Sequence, residues 1–212
     1  AFTDRMKAET ENDDSIAFYE EYTTGQKDFS EVLKKLAKSN VDKVILPGDY
    51  TDAANIINQA ADMGLKVTFL GDSEWGNEEF VKLLGDNVKA DNLAFVQFFS
   101  ADNSGIEGEA VTKERQSFLK AYAEEFGNDS EPTEAMALGY DAYFVAVDAI
   151  DKAADDATSE EVNNILADPQ YSFEGATGLI NFNQNGDPIK TAYINTWVKG
   201  KMATIYTVEA LK

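Results

Sequence analysis

The sequence contains neither cysteine nor histidine. The chain therefore has no thiolate nucleophile, no zinc site built on Cys or His ligands, and no side chain whose ordinary pKa lies near neutrality. Enzymes that depend on those groups are excluded, and we expect a protein without catalytic activity, metal or cofactor. A chain of 212 residues does not need disulfides to fold, so the missing cysteine does not identify a redox compartment.

Basic residues and long apolar runs are also scarce. Lys and Arg number 18 against 39 Asp and Glu, which gives a formal net charge of −21. A surface this acidic repels phosphate backbones, so nucleic acid is not expected as a partner. No run approaches the roughly 18 apolar residues of a membrane span, and no secretion signal opens the chain, so we expect a chain without a span whose signal peptide has been removed.

What the sequence does contain is typical of an ordered α/β protein, with 43% hydrophobic and 11% aromatic residues. Short apolar or alternating segments, which predict strands, are separated by segments with an apolar helical face. A helical tail precedes them, and Asp28 with Glu31 forms a capping-box pattern. We predict strands at residues 15–21, 43–46, 67–70 and 93–98 and helices at residues 1–12, 28–36, 53–63 and 80–84. This alternation predicts a parallel, doubly wound sheet.

After Ser100 the pattern changes to helices at residues 106–126, 133–154 and 160–166. In the second of these, one apolar face is predicted. It consists of Leu138, Ala142, Val145 and Ala149. Extended segments follow at residues 179–182, 191–198 and 203–208, joined by Asn-Gly and Lys-Gly turn signals. The helical region thus interrupts two regions that form sheets.

Ligands of open parallel sheets bind beyond the carboxyl ends of the strands. The loops at residues 22–25, 48–51, 71–75 and 98–100 follow the predicted strands and combine aromatic, hydroxyl and carboxylate side chains. Such a combination suits a small amphiphilic solute. An equally weighted alternative is that the loop carboxylates are merely solvated, while Tyr50 and Trp75 cap the edge of the sheet.

Two other polar patterns are not interpreted as sites. Residues 181–192 imitate the spacing of a calcium-binding loop, but Ala192 stands where the bidentate Glu should be, so a hairpin turn is predicted. The acidic cluster around Thr158 is typical of a helix N-terminus. No Gly-rich phosphate-binding loop is present.

Several segments together resemble a known family. They are Asp28-Phe29-Ser30, Val44-Ile45-Leu46-Pro47-Gly48-Asp49-Tyr50, Met63-Gly64-Leu65, Phe69-Leu70-Gly71, Ala137-Leu138-Gly139-Tyr140-Asp141-Ala142 and Gly175-Ala176-Thr177-Gly178. In order along the chain, they are similar to the branched-chain amino-acid-binding proteins of ABC transporters, which are periplasmic binding proteins of type I. The resemblance spans nearly the whole chain.

The resemblance implies two α/β lobes that close on a ligand in the cleft between them. Residues 1–98 and 190–212 would form the second ligand-binding lobe, with its parallel doubly wound sheet. Residues 99–189 would form a helical and hairpin segment that returns to an incomplete first lobe. We expect the opening section of that lobe to be missing and ligand binding to be weaker without it. The family also implies ABC permease subunits as partners and an extracytoplasmic location, either in the periplasm or lipid-anchored at the cell surface.

The resemblance also implies site residues. Tyr50 corresponds to a ligand-contacting Tyr, and Met136 to an apolar neighbour of the ligand. The family commonly places an acid two residues after the glycine at position 71 to bind the substrate ammonium. Ser73 occupies that place here, so Asp72 and Glu74 are candidates to replace the acid.

The implied ligand is a small amino acid, branched-chain or similar. The alternatives are an amide, a urea-like solute or an aromatic acid, bound by an importer component or by a ligand-sensing domain of the same fold. A glycosidase that uses carboxylates alone is the remaining hypothesis.

Overall fold

The computed structural model describes residues 2–12, 16–101, 112–128 and 130–210, with side chains described from residue 6 onward. The chain divides into two compact units. The first consists of Ala1–Phe95 with Trp197–Gly200, and the second of Val96–Thr196 with Lys201–Lys212. The lobe boundaries given above stay a prediction.

The first unit alternates helices with parallel strands. Its elements are α1 Phe2–Thr10, α2 Ser30–Leu36, β1 Lys43–Ile45, α3 Tyr50–Asp62, β2 Thr68–Gly71, α4 Glu78–Leu83 and the start of β3 Leu93–Gln97. β1 pairs with β2 in parallel, with Val44 opposite Phe69, and β2 pairs in parallel with β3. The core includes the buried apolar face of α3, which agrees with the predicted helical stripe.

The predicted strand at residues 15–21 is wrong for its described part. Residues 16–21 belong to no strand, and Ser15 lies outside the described residues. The Tyr19 side chain is 76% exposed, and Lys35 pairs with Glu20 at 2.7 Å. Alternation of apolar and polar residues favours extended backbone, but a strand also needs a neighbouring edge to supply hydrogen bonds.

The predicted capping box of α2 is also wrong. Asp28 Oδ1 accepts a hydrogen bond from Ser30 N, whereas Phe29 occupies the N-cap position and makes no side-chain cap. The Glu31 carboxylate pairs instead with Lys34 Nζ at 2.7 Å. Glu31 therefore stabilises the exposed helix surface rather than its terminus.

The second unit contains the longer helices and an antiparallel sheet. Its elements are α5 Lys113–Phe126, α6 Glu134–Lys152, α7 Ser159–Leu166, β4 Phe173–Gly175, β5 Gly178–Phe182, β6 Pro188–Ile189, most of β7 Ala192–Val198 and β8 Lys201–Val208. β4, β5 and β6 form a three-stranded antiparallel sheet. The predicted beginning of α5 at Ile106 lies outside the described residues. β4 and β6 were not predicted, because segments of three and two residues are too short to show a period.

The buried face of α6 differs from the predicted stripe. Val145 and Ala149 are buried as expected, but Leu138 is half-buried and Ala142 is exposed, while Ala137 and Asp141 face inward. This orientation of α6 places the Asp141 carboxylate in the interior, where buried donors of the next segment need an acceptor. Asp141 accepts hydrogen bonds from Ala176 N at 2.6 Å, from Thr177 N at 2.8 Å and from the Thr177 hydroxyl. A hydrophobic pattern cannot identify a buried acid that backbone groups satisfy.

The larger sheet has the strand order β1-β2-β3-β7-β8. Within the second unit, a chain of polar side chains crosses three of these strands. The fully buried Asn195 of β7 donates from Nδ2 to Gln97 Oε1 on β3 at 2.9 Å, and it accepts at Oδ1 from the Thr204 hydroxyl of β8 at 2.8 Å. The inner face of this sheet is therefore partly polar.

No helix among the described residues combines the length and apolar character that crossing a bilayer requires. In the same part of the chain, no group of three or more acidic side chains is arranged to hold a metal ion.

Candidate functional site

The candidate site lies where β1 and β2 end. Because Ile45 and Leu70 are partners in a parallel pair, the loops that follow them leave the sheet at neighbouring positions. Tyr50 is the first residue of α3 and is half-buried. Asp72 and Glu74 are exposed in the turn after β2, and Ser73 lies half-buried between them. The first unit thus brings four of the five predicted site residues to one edge of the sheet.

Met136, the fifth, belongs to the second unit. It lies in the first turn of α6, and its side chain is 47% exposed. It lines an apolar groove of about 250 Å³ with the side chains of Phe118, Ala121, Tyr122, Phe126 and Tyr140. This groove suits a hydrocarbon surface and offers no charged group.

Tyr22 lies at the same edge as the first four residues. Its hydroxyl is 3.4 Å from the Pro47 carbonyl oxygen, and its ring meets Phe29 edge to face with centroids 5.6 Å apart. Burial raises the pKa of the Tyr22 phenol, and the negative charges of Asp52, Asp49 and Asp72 raise it further. Three carboxylates therefore lie close enough to the Tyr22 hydroxyl to affect it electrostatically.

Sequence reasoning placed the loop of Tyr22 at this edge but did not select its side chain. The signal available was Gly48, which has φ +127°. A Cβ at Gly48 would lie 2.7 Å from the Tyr22 hydroxyl oxygen, so the tyrosine needs a glycine there. A glycine between a strand and a helix cap indicates a close approach, but the sequence does not say which side chain approaches.

The carboxylates at this edge have different tasks. Asp49 caps α3 by accepting from Thr51 N at 2.8 Å, and hydrogen bonding from Thr51 lowers the pKa of Asp49. The buried Asp52 accepts from Gly25 N at 2.9 Å, which holds the loop of Tyr22. These two carboxylates are already engaged within the protein.

Asp72 and Glu74 remain available to a ligand. Asp72 uses Oδ1 to accept from Glu74 N at 3.0 Å, and its Oδ2 makes no hydrogen bond or ion pair among the described residues. Among the described residues, the Glu74 carboxylate makes no hydrogen bond or ion pair, and its side chain is exposed. Both carboxylates can accept charge-assisted hydrogen bonds from an ammonium group.

The turn that carries them rests on a buried tryptophan. Trp75 is fully buried and stacks on Phe80, with ring centroids 5.1 Å apart. Its indole nitrogen has no hydrogen-bond partner among the described residues. Its backbone oxygen accepts from the indole N–H of Trp197 at 2.8 Å. The turn is thus held by the packing of the Trp75 ring and by a hydrogen bond from Trp197, which is distant in sequence.

We predict that Gly71→Ala destabilises the protein by about 1–3 kcal/mol, because an added methyl group overpacks the core. A Cβ at Gly71 would lie 2.2 Å from the Trp75 ring. Gly139→Ala is the matched control. Gly139 lies within α6 with nothing within 4 Å of an added Cβ, so alanine should stabilise by about 0.5–1 kcal/mol there. Denaturant unfolding measures both, and equal effects of the two variants would contradict the packing seen at Gly71.

The sequence also matches known proteins. A profile of the family described as "Periplasmic binding protein" matches residues 8–201. The leucine-, isoleucine-, valine-, threonine- and alanine-binding protein of Pseudomonas aeruginosa is 26% identical over 173 residues, which are 81% of this chain and 42% of that protein. The Leu/Ile/Val-binding protein homolog 1 of Brucella abortus is 26% identical over 186 residues, which are 86% of this chain and 45% of that protein.

Solved structures show the same similarity. A leucine-binding protein from Thermotoga maritima matches with a TM-score of 0.73 and 28% identity over 89% of this chain and 50% of its own. A branched-chain amino acid transporter substrate-binding protein from Streptococcus pneumoniae, in complex with isoleucine, matches with a TM-score of 0.65 and 29% identity over 90% and 50%. The chain spans about half the length of the relatives it matches.

Proposed function

We propose a ligand and a role for this chain, which belongs to the periplasmic binding protein family. The ligand is a small amino acid, branched-chain or similar, and the chain binds it as part of the solute receptor of an ABC importer. Relatives of the chain are substrate-binding proteins for branched-chain amino acids. The chain's own ligand is what the proposal adds. Docking on permease subunits, a location outside the cytoplasm and a cleft between two lobes belong to the same proposal.

The choice of ligand is supported by the exposed carboxylates of Asp72 and Glu74, which follow β2 at the same edge of the parallel sheet where Tyr50 follows β1. Carboxylates at that position accept hydrogen bonds from an ammonium group, and charge-assisted bonds of this kind are short and strong. The half-buried ring of Tyr50 offers an apolar surface for the adjoining hydrocarbon. An α-amino acid with an aliphatic side chain supplies both groups.

The same charges disfavour an aromatic acid. A solute-binding protein of Rhodopseudomonas palustris, solved in complex with benzoate, shares the fold with 19% identity and a TM-score of 0.62. A benzoate placed beside Asp72 and Glu74 would be repelled, because like charges at close range destabilise a complex. The ammonium of a zwitterionic amino acid compensates for this repulsion.

Calorimetry of the full-length receptor with leucine and 4-methylpentanoate tests the proposal, because the second compound is leucine without its amino group. We expect leucine to bind about 30-fold to 4,000-fold more tightly, which corresponds to the 2–5 kcal/mol of a charge pair covered by the ligand. Valine and alanine report the preference for side-chain size.

Benzoate completes the series as an anionic control without an ammonium. If 4-methylpentanoate or benzoate binds as tightly as leucine, the ligand is an acid and the ammonium site is wrong. If no amino acid binds in the millimolar range or below, the proposal of an amino-acid receptor fails.

A further inference from the structure

Two tryptophans, Trp75 and Trp197, hold the backbone of the turn that carries Asp72 and Glu74. We propose that Trp197 is a positioning residue for ligand binding: its indole N–H fixes the turn of residues 72–76 so that the two carboxylates are pre-organised for an ammonium. This inference rests on the proposed function and adds to it a residue 122 positions away from the turn.

Hydrogen bonds hold the backbone of the turn at both of its ends. The carbonyl oxygen of Trp75 immediately follows Glu74 and accepts from Trp197 Nε1 at 2.8 Å. Trp75 N donates to the Asp72 carbonyl oxygen at 3.3 Å, and Glu74 N donates to Asp72 Oδ1 at 3.0 Å. The turn therefore has internal hydrogen bonds at its start, and at its end the Glu74 carbonyl oxygen accepts from Asn77 Nδ2 while the Trp75 carbonyl oxygen accepts from Trp197.

The two tryptophan rings pack against different aromatic neighbours. The ring of Trp75 fills the space that a Cβ at Gly71 would take, and it stacks on Phe80. The ring of Trp197 stacks on Phe95 of β3, with centroids 6.0 Å apart and ring planes at 29°. Trp197 thus ties the turn to Phe95 of β3, and all of these residues belong to the first unit.

A turn that is fixed before the ligand arrives favours tight binding. Ordering a flexible turn at the moment of binding costs free energy, and a turn fixed beforehand avoids that cost. The Glu74 side chain has no hydrogen bond within the described residues, so the region that its carboxylate can reach is set by its rotamers and by the backbone that carries them. Loosening the Trp75 carbonyl therefore spreads the positions of the carboxylate while leaving its charge unchanged.

Trp197→Phe is the test, because it removes the N–H and keeps an aromatic ring for Phe95. Ile57→Val is the matched control, since Ile57 is fully buried on α3 and its change shortens a core side chain of the same unit. Without ligand, we expect amide hydrogen exchange at residues 72–76 to become about fivefold faster in Trp197→Phe and to stay unchanged in Ile57→Val. For leucine, we expect Kd to rise about three- to tenfold in the first variant and less than twofold in the second.

A double-mutant cycle separates positioning from general damage. In the Trp197→Phe protein, Glu74→Gln should weaken leucine binding at least about threefold less than it does in the parent protein, because the carboxylate is already misplaced. Equal costs in both backgrounds would overturn the positioning role. Unchanged exchange at residues 72–76 would overturn the proposal that the hydrogen bond from Trp197 fixes the turn. If the parent protein binds no amino acid, the proposed function and the ligand role fail together, and the exchange measurement still decides whether Trp197 holds the turn.

Discussion

Removing the charge of Asp72 or Glu74 is expected to weaken binding of the amino-acid ligand at least tenfold for one of the two positions, when binding is measured in a full-length receptor whose two lobes enclose the ligand. A carboxylate that pairs with an ammonium in a site drained of water is worth about 2–5 kcal/mol, because its loss leaves the partner charge buried and unpaired. Asp72→Asn is preferred to alanine, since the amide oxygen still accepts from Glu74 N and preserves the turn. Glu74→Gln preserves the size of the side chain.

Glu78→Gln is the control for the loss of one negative charge. Glu78 is exposed in the first turn of α4, only four residues beyond Glu74. Its neutralisation should change affinity less than about twofold, since exposed charges contribute about 0–1 kcal/mol. Calorimetry on the three variants gives the comparison. If neither Asp72→Asn nor Glu74→Gln differs from Glu78→Gln, the ammonium is bound elsewhere, and Ser73 or a neutral ligand becomes the better hypothesis.

The second large effect is expected at Asp141, where alanine should lower the free energy of unfolding by about 3 kcal/mol or more. The substitution leaves the buried amides of Ala176 and Thr177 without their acceptor. Lys190 also loses a favourable charge: its pKa is lowered by burial, and the carboxylate of Asp141 opposes that shift. For a chain of this size the melting temperature should fall by about 6–12 °C.

Two further variants make this prediction specific. Asp141→Asn keeps one acceptor oxygen but turns an N–H donor toward Thr177, so an intermediate loss is expected. Asp151→Ala removes an exposed acid from the same helix and should change stability by less than about 0.5 kcal/mol. Thermal unfolding of the three variants provides the measurement. Equal melting temperatures for Asp141→Ala and Asp151→Ala would mean that the network around Thr177 contributes nothing.

Much of the fold could be predicted because it depends on local periods. The strands β1, β2 and β3 and the helices α3, α4 and α7 follow apolar patterns that need no knowledge of the neighbours. The resemblance to branched-chain amino-acid-binding proteins is confirmed by the family match and by structures of 28% and 29% identity. The periplasmic-binding-protein-like α/β fold is confirmed with it.

The errors arise where a distant group decides the structure. Residues 16–21 have a strand pattern but pair with no strand in the described part of the chain. The orientation of α6 follows from Asp141, whose carboxylate accepts hydrogen bonds from backbone amides 35 and 36 residues further along. The same limit applies to the site. The edge of the sheet and its acidic loops were accessible from the sequence, whereas the hydrogen bond from Trp197 to Trp75 depends on tertiary packing. Which residues touch the ligand stays a prediction.

The hydrogen bonds that join the side chains of Gln97, Asn195 and Thr204 favour one register of β7 in the sheet. If β7 slipped by one residue during folding, Ile194 or Thr196 would replace Asn195 opposite Gln97, and the displaced amide would turn to the other face. Two amide groups would then lose their partners in a region closed to water, at a cost of about 1–3 kcal/mol each. Misregistered intermediates should therefore be short-lived, because the native register of β7 keeps all three side chains hydrogen-bonded.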